Sequence, residues 1–433
     1  MPNHETKKKP LFGDYTRFAV LAISLACVTL ILSNSLALNF TIICMESKST
    51  NVSATVYDYT PSERSSLFSA VAVGSLLGTI PITELFTQFG TRKGFALTVT
   101  FPATGAITAS WASLAESGTF LAVLSAYLQI GPIVTMPLAG AFCVSPFGWS
   151  GVFYLQGTLT VVFVALFFCF HRDTPRMHKN VSARELLKIE YGKSASSQTP
   201  KRTPYLAICK DITIIGVWIA NIGASAAFQI FLQYGPIYLN KVLNYEISST
   251  GLATALPFVF ALAMKLVAGP FSDRASCLGE RARLIVFTIA SQGTMVICFI
   301  IMAQISSENG FLGWVAYATS IAFSGLNCVG LFKCAQMVSR QYFPFVMAVM
   351  SFFNSFSILY LPFFVSFVAP NNTAEEWATV FYIICCVVLI TNVFFCCVCR
   401  GDPAPWTVDA PEKAQKPAFC EEIAVEKIVI LRF

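Results

Sequence analysis

The stretch of sequence that decides the fold is residues 171–210, which read HRDTPRMHKNVSARELLKIEYGKSASSQTPKRTPYLAICK. It carries nine Lys and Arg against three Asp and Glu. Five apolar segments precede it and six follow it. A run this polar cannot lie in hydrocarbon, and its excess of Lys and Arg predicts a cytoplasmic location. We therefore interpret residues 171–210 as a linker between two membrane-embedded halves, an architecture that favours a secondary transporter.

The composition is that of a polytopic membrane protein. Of the 433 residues, 55% are hydrophobic and only 12% are charged, whereas soluble domains carry about 25% charged residues. The net charge of +6 lies largely in short loops beside apolar segments, so it predicts topology and no nucleic-acid partner. The 15 cysteines show no zinc spacing and no disulfide pattern, and we interpret most of them as core residues. Palmitoylation of Cys396, Cys397 and Cys399 is an open alternative beside Arg400.

The hydropathy pattern predicts an all-α membrane fold with about 10 to 11 apolar segments of spanning length. We expect a first helical bundle in residues 1–170, the linker, a six-helix bundle in residues 211–400 and a tail in residues 401–433. Both termini are predicted to be cytoplasmic because Lys and Arg flank the spans nearest to them. The regular spans are predicted at Arg17–Met45, Ser65–Phe86, Phe120–Cys143, Gly151–Phe170, Ile212–Leu239, Thr250–Pro270, Leu284–Ile305, Gly313–Met337, Phe343–Val368 and Trp377–Cys399.

The segment Gly94–Ala112 does not fit this series. Pro102 and Gly105 interrupt it, and it is barely as long as the roughly 20 residues that a crossing needs. If it crossed once, the linker would lie outside, against its own charge. We therefore predict a kinked, re-entrant or displaced segment, and a chain that lacks part of this region is an equal alternative.

Polar side chains inside the predicted spans are the candidates for a solute cavity. Four of them recur every fourth residue in the span that follows the linker, which favours a cavity wall over packing. Two more share a face of the first span, where packing and cavity lining are evenly balanced. The full set of candidates is Ser35, Asn39, Asn221, Ser225, Gln229, Gln233, Asn327 and Lys333.

Lys265 is a separate case among the intramembrane polar residues. It lies about one turn from the predicted exit of its span at Pro270. A lysine in that position can extend its ammonium group to the membrane surface. We therefore favour a snorkelling role for Lys265 and keep anion binding as the alternative.

Two loops carry matching short motifs, one in each half. Both combine a glycine with bases, and only the second has an Asp before the Arg. A carboxylate there can pair with helix ends and neighbouring bases, so we predict a cytoplasmic gate, with a plain basic anchor as the alternative. The gate residues are Gly90, Arg92 and Lys93 in the first loop, and Gly269, Asp273, Arg274, Arg281 and Arg283 in and after the second.

Two N-glycosylation sequons lie in loops that the topology predicts to be outside. They are Asn51-Val52-Ser53 and Asn371-Asn372-Thr373. The loop around the second one has no Lys or Arg, in agreement with an outside location. Asn51 and Asn371 are therefore the candidate glycosylation sites.

Several stretches resemble the major facilitator superfamily. Residues 88–93 resemble the loop signature Gly-x-x-x-Asp-Arg-x-Gly-Arg-Arg between its spans 2 and 3, with Thr87-Gln88 at the Asp-Arg position. The similarity to its anion:cation symporter branch is best in Gln233–Val242, Lys265–Arg283 and Gly325–Arg340. That branch includes phosphate, vesicular glutamate and sialic-acid carriers. The resemblance implies a two-bundle fold with part of spans 3 and 4 missing, in a plasma or vesicular and lysosomal membrane.

The resemblance also implies a function. The family binds anions at mid-membrane and couples their movement to protons or sodium. Members that carry glutamate or sialic acid use an intramembrane Arg in spans 1, 4 or 7 and an acid in span 4. This chain has no Arg within spans 1 or 7, and the part of span 4 that would hold both groups is missing.

We therefore expect a carrier of small organic or inorganic anions that works by alternating access in a lipid bilayer, with a proton or sodium as coupling ion. A transport-deficient or regulatory relative, or an incomplete isoform, is the second hypothesis. No cofactor and no metal site are predicted. An enzyme is disfavoured because the Asp residues lie in loops and tails and the only histidines are His4, His171 and His178.

Overall fold

The computed structural model describes residues 13–45, 59–60, 62–74, 76–77, 100–113, 117–191, 204–274, 279–305 and 309–407. Within these ranges the chain is helical and contains no strand. Nine helical stretches among the described residues are long and apolar enough to cross a membrane. The predicted all-α polytopic class is therefore confirmed.

The helices of the first half follow the predicted spans closely. The first span and the span before the linker lie where hydropathy predicts them. The span predicted at Phe120–Cys143, which contains Pro132 and Pro137, is interrupted by a short turn at Ser125 and Ala126. The helices are α1 (Thr16–Met45), α2 (residues 62–74), α3 (Thr100–Trp111), α4 (Ser117–Leu124), α5 (Tyr127–Cys143) and α6 (Gly148–Phe170).

Helix α3 occupies the described part of the segment that did not fit the series. Its 12 residues extend about 18 Å, which is less than the roughly 30 Å of a hydrocarbon core. The indole Nε1 of Trp111, at its last residue, donates a hydrogen bond to the carbonyl oxygen of Arg172 at 3.1 Å. Helix α3 therefore ends beside the start of the linker, and residues 94–99 of this segment lie outside the described part of the structure.

The linker packs against the beginning of α1. It contains α7 (Ala183–Glu190) and, before the next span, α8 (Tyr205–Lys210). The carboxylate of Glu185 accepts a hydrogen bond from the backbone N–H of Arg17 at 2.8 Å, which satisfies a free donor in the first turn of α1. The hydroxyl of Thr16 donates to the carbonyl of Asn180 at 2.8 Å. These contacts define a linker end of the molecule.

Three of the six spans of the second half contain irregular turns. Helix α9 continues into a π turn at Tyr238–Val242, and π and 3₁₀ turns at Ile289–Gly293 and Gly325–Cys328 interrupt the third and fourth spans. Such turns shift the faces of a helix and occur frequently at functional sites. The helices are α9 (Ile212–Ile237), α10 (Ile247–Arg274), α11 (Glu280–Thr288), α12 (Thr294–Gln304), α13 (Gly310–Ser324), α14 (Leu331–Ser339), α15 (Phe343–Val368) and α16 (Ala374–Val398).

A disulfide between Cys44 and Cys143 joins the last turns of α1 and α5. It lies at the end of the bundle opposite the linker, which we call the disulfide end. Both cysteines are buried in the hydrophobic core, but we did not predict their disulfide, which forms because α1 and α5 pack side by side and bring together residues 99 positions apart. The sequence offers no spacing pattern that reveals the pair.

The two halves touch on the disulfide side of the molecule. Ser65 and Ser69 of α2 donate hydrogen bonds to the carbonyls of Pro362 and Leu359 in α15, both at 3.0 Å. Helices α5 and α10 pack so closely that a Cβ atom added to Gly251 would lie 2.8 Å from the carbonyl oxygen of Met136. A small residue at this position therefore permits close approach of the helices, as is usual in membrane proteins.

Candidate functional site

A first polar cavity lies between the two halves. It has a volume of about 140 Å³ and is bounded by α1, α2, α5, α9 and α15. Its polar lining consists of hydroxyl and amide side chains, with no Asp, Glu, Lys or Arg among the described residues that form it. The polar residues are Ser35, Asn39, Tyr127, Gln229, Gln233, Ser351, Asn354 and Ser355.

A second cavity of about 100 Å³ adjoins the first. The two share Leu128, Gln229 and Asn354 as lining residues. The second is bounded by α5, α9, α10, the 3₁₀ turn at Gly325–Cys328, α14 and α15, and it differs from the first in containing a charged residue. Its remaining polar lining is Gln129, Asn221, Ser225, Lys265, Ser324, Asn327 and Cys328.

The polar stripe predicted on α9 faces both cavities. Within the stripe, Gln229 lines both cavities, and its Nε2 donates a hydrogen bond to Oδ1 of Asn354 on α15 at 3.1 Å. Nδ2 of Asn221 donates to the carbonyl of Met350 at 3.2 Å. On the side of the first half, Nδ2 of Asn39 donates to the carbonyl of Leu232 at 3.3 Å. Amide groups therefore join α1, α9 and α15 around the cavities.

Lys265 does not snorkel. Its residue is only 5% exposed, and it lines the second cavity. Helix α10 continues for two more turns to Arg274, so Lys265 is not at the end of its helix. Its low exposure and its place on the cavity wall show that neighbouring helices enclose the side chain. No hydrogen bond or ion pair joins Lys265 to any residue that the structure describes. Keeping a charge from water without a partner costs several kcal/mol. An apolar residue would pack at this position without that cost, so packing alone does not explain a lysine here.

The 3₁₀ turn is held against α10 beside Lys265. A Cβ atom on Gly325 would lie 2.5 Å from the carbonyl oxygen of Ala261 and 3.4 Å from the backbone nitrogen of Lys265. Only glycine therefore allows the turn to approach α10 this closely. The turn brings Asn327 to the cavity wall. Oδ1 of Asn327 and Oε1 of Gln129 are buried and make no hydrogen bond with the described part of the chain.

Seven of the eight cavity candidates from the sequence line one of these cavities, and Lys333 lines neither of them. Sequence reasoning missed Gln129, Ser324, Ser351 and Ser355. Ser351, Asn354 and Ser355 recur at helical spacing on α15, which is the same signal that singled out α9. Whether any of these side chains binds a solute stays a prediction.

The predicted gate is described in part. Arg283 is buried and pairs with Glu280, and Nη2 of Arg281 donates to the carbonyl of Cys397 at 3.5 Å. Gly269, Asp273 and Arg274 belong to the last turns of α10, so this motif begins within a helix and not in a loop. The side chains of these three residues, and all of Gly90, Arg92 and Lys93, lie outside the described part of the structure.

Of the glycosylation candidates, Asn51 lies outside the described residues. Asn371 is exposed, and its Nδ2 donates a hydrogen bond to Oε1 of Glu376 at 2.9 Å. Among the described residues, no three His, Cys, Asp or Glu side chains come together in a group that could hold a metal ion.

The sequence matches the family model described as Major Facilitator Superfamily over residues 93–359. The chain belongs to the Major Facilitator Superfamily. Among solved members of this fold, it superimposes on a D-xylose-proton symporter with a TM-score of 0.64 at 13% identity, covering 89% of this chain and 98% of the other. The xylose transporter XylE from E. coli in a partially occluded inward-open conformation gives a TM-score of 0.60 at 14% identity, over 87% and 96% of the two chains. These likenesses confirm the fold.

Within the superfamily, the similar curated proteins are sialin and vesicular glutamate transporters. Human sialin is 26% identical over 354 residues, which is 79% of this chain and 68% of sialin. Vesicular glutamate transporter 1 of Bos taurus is 25% identical over 340 residues, which is 76% of this chain and 59% of that protein. The predicted resemblance to this branch is confirmed. The chain spans less than two thirds of the length of the vesicular glutamate transporter that it matches.

Proposed function

We propose that this protein is a secondary carrier that moves small anions across a membrane by alternating access. The observation that carries the proposal is the pair of adjoining polar cavities between the two halves. Helices α1, α2 and α5 line them from one side, and α9, α10 and α15 line them from the other. A solute bound there would contact both halves, so a rocking motion of one half against the other would change its access.

The relatives support an anionic solute. The vesicular glutamate transporters are named for glutamate, which is an anion at neutral pH, and they are about as similar to this chain as sialin is. A proton or sodium gradient is the coupling that we propose, as in the predicted branch. The predicted gate residues Asp273, Arg274 and Arg281 would then act at the linker end, which we propose to be cytosolic together with both termini.

The contacts at the disulfide side indicate what must open during transport. The hydrogen bonds from Ser65 to Pro362 and from Ser69 to Leu359 join the halves there. Both use hydroxyl donors and backbone acceptors, which are single neutral bonds worth only about 1 kcal/mol each. We propose that they break when the cavity opens to that side.

The cavity lining favours a second candidate. No Arg, Asp or Glu is among the described lining residues of either cavity, whereas the resemblance implies an intramembrane Arg and an acid. A relative that binds solute without completing the transport cycle would have this feature. The same assay distinguishes the two candidates.

The test is counterflow of radiolabelled lactate, gluconate, glutamate and phosphate into proteoliposomes that contain the full chain. D-xylose serves as the uncharged comparison, and each run is repeated with an imposed pH or sodium gradient. We expect at least one anion to exceed its flux into protein-free liposomes and to respond to a gradient. Fluxes that equal those of protein-free liposomes for every anion would reject the carrier and favour the transport-deficient relative.

A further inference from the structure

The two cavities differ in charge. Among the described side chains that line them, Lys265 is the one Lys, Arg, Asp or Glu. It stands at the second cavity, and the wall of the first is formed by neutral hydroxyl, amide and apolar groups. The described lining therefore supplies one positive charge at one end and neutral hydrogen-bonding groups at the other.

The surroundings of Lys265 supply further donors. Gln129 and Asn327 line the same cavity, and their buried side-chain oxygens, Oε1 and Oδ1, make no hydrogen bond within the described residues. Ser225 lines it as well. Amide NH₂ and hydroxyl groups donate to anionic oxygens, and a lysine ammonium has three donors. Because charge-assisted hydrogen bonds are stronger than neutral ones, these groups suit a carboxylate better than a neutral solute.

We propose that Lys265 binds the single negative charge of the solute, and that the solute is a monoanion with an uncharged polar remainder. The carboxylate lies in the second cavity against Lys265, Asn327 and Gln129. The remainder extends past Gln229 and Asn354 into the first cavity. This inference rests on the proposed function, because it assigns the charged group of the same solute.

The charge count gives the site its selectivity. One ammonium group neutralises one carboxylate. A dianion would leave a second charge without a partner in a site shielded from water, and a neutral analogue would leave Lys265 unpaired. Both alternatives are therefore disfavoured, which is how a site discriminates between ligands of similar size.

The experiment uses three probes of nearly equal size, which are gluconate, the neutral gluconamide and the dianion glucarate. Thermal stabilisation of the purified full chain in detergent is measured for each at constant ionic strength. We expect gluconate to stabilise the wild-type protein at concentrations at least tenfold lower than the other two. Equal effects of gluconate and gluconamide on the wild-type protein would overturn the proposal without any variant.

Variants then assign the effect to the residue. Lys265→Met should abolish the preference for gluconate over gluconamide, and Lys265→Arg should retain it. Lys241→Met is the matched control, because Lys241 is exposed and lines neither cavity. If Lys265→Met does not fold, Asn327→Ala and Gln129→Ala must each reduce the preference. A preference that survives in the folded Lys265→Met protein would leave Lys265 only a structural role.

This result is separable from the carrier test. Anion counterflow in proteoliposomes together with an unchanged preference in Lys265→Met would overturn the inference alone. A charge preference that depends on Lys265, together with no flux of any anion, would overturn the carrier and leave the binding site intact.

Discussion

Gly325 decides how closely two helices approach beside the second cavity. A Cβ atom added to Gly325 would lie 2.5 Å from the backbone oxygen of Ala261 in α10. The backbone of α10 cannot move aside as a flexible side chain can. Inserting atoms into a packed contact costs about 1–3 kcal/mol. The residue therefore has a role in placing Lys265 and Asn327 on one wall although it has no side chain.

We expect Gly325→Ala to lower the thermal unfolding temperature and to weaken solute binding, because α13 must move away from α10. The measurement is thermal unfolding of the purified protein with and without solute. Gly157→Ala is the control, since a Cβ atom there meets nothing within 4 Å. Equal unfolding temperatures for the two variants would contradict the predicted contact.

Asn354 links the two cavities at the residue scale. Its Oδ1 accepts the hydrogen bond from Nε2 of Gln229, and removing Asn354 leaves this buried Nε2 group without its acceptor, at a cost of about 1–3 kcal/mol. We expect Asn354→Ala to reduce solute uptake by roughly tenfold, which corresponds to about 1.4 kcal/mol, with expression unchanged.

Ser357→Ala is the comparison for this variant. Ser357 lies on the same helix and donates to the carbonyl of Phe353, and it lines neither cavity. Uptake by Asn354→Ala that matches uptake by Ser357→Ala would remove Asn354 from the site.

The linker contains a buried histidine, His178. Nδ1 of His178 accepts the backbone N–H of Asn180 at 3.2 Å, and its Nε2 lies 3.1 Å from the carbonyl of Phe170. Burial lowers the pKa of His178 below its usual value of 6.5, with the charge of Arg172 acting in the same direction and the Phe170 carbonyl and Glu185 opposing it. The neutral imidazole is therefore the form that the docked linker holds.

We expect docking of the linker to weaken as the pH falls. An undocked His178 takes up a proton as the pH drops through about 6.5, whereas the docked ring resists protonation, so stability is complete above this pH and is lost below it. Hydrogen exchange of residues 171–190, corrected for intrinsic pH effects, should increase between pH 7.5 and 5.5. His178→Gln should remove this dependence, and an identical increase in that variant would contradict it.

Aromatic contacts hold the end of helix α3 against the linker. The 12 residues that form it end at Trp111, which is buried between the rings of His171 and His178 at 5.9 Å and 5.5 Å. These contacts attach α3 to the linker end. That the whole segment Gly94–Ala112 is no ordinary span stays a prediction, because residues 94–99 lie outside the described part of the chain.

At the scale of the whole molecule, topology depends on where the linker lies. If residues 171–210 are cytosolic, the disulfide end with Cys44 and Cys143 faces an exterior or lumenal compartment, where disulfides persist. The charge bias of the linker and the disulfide are independent observations that agree. The division into bundles at residues 1–170 and 211–400 stays a prediction.

We expect an epitope inserted after Ser196 to be accessible in cells only after the membrane is permeabilised, because the basic linker remains on the cytosolic side. An epitope in the exposed loop at Asn371 should be accessible on the opposite side of the same membrane. Detection of both epitopes on one side would contradict the topology and, with it, the alternating-access proposal.

The amino-acid sequence by itself determined the positions of the described spans, the excess of Lys and Arg in the linker, the polar stripe on α9 and the resemblance to the superfamily. These features are local, because hydropathy and helical periodicity depend on residues within one or two turns. The spans found at Thr16–Met45, Ile212–Val242 and Phe345–Val368 lie where that pattern predicts them.

Only the tertiary structure decided which polar faces meet, that Lys265 is enclosed, and that Cys44 pairs with Cys143. Each of these depends on residues distant in sequence, such as Gly325 against Ala261 or α1 against α5. Whether a lysine near the end of a span reaches water depends on the neighbouring helices and not on its own helix. The sequence favours Lys265 as a residue that reaches the membrane surface. Helix packing instead encloses it, and it is the one charged residue among the described residues of the cavity walls.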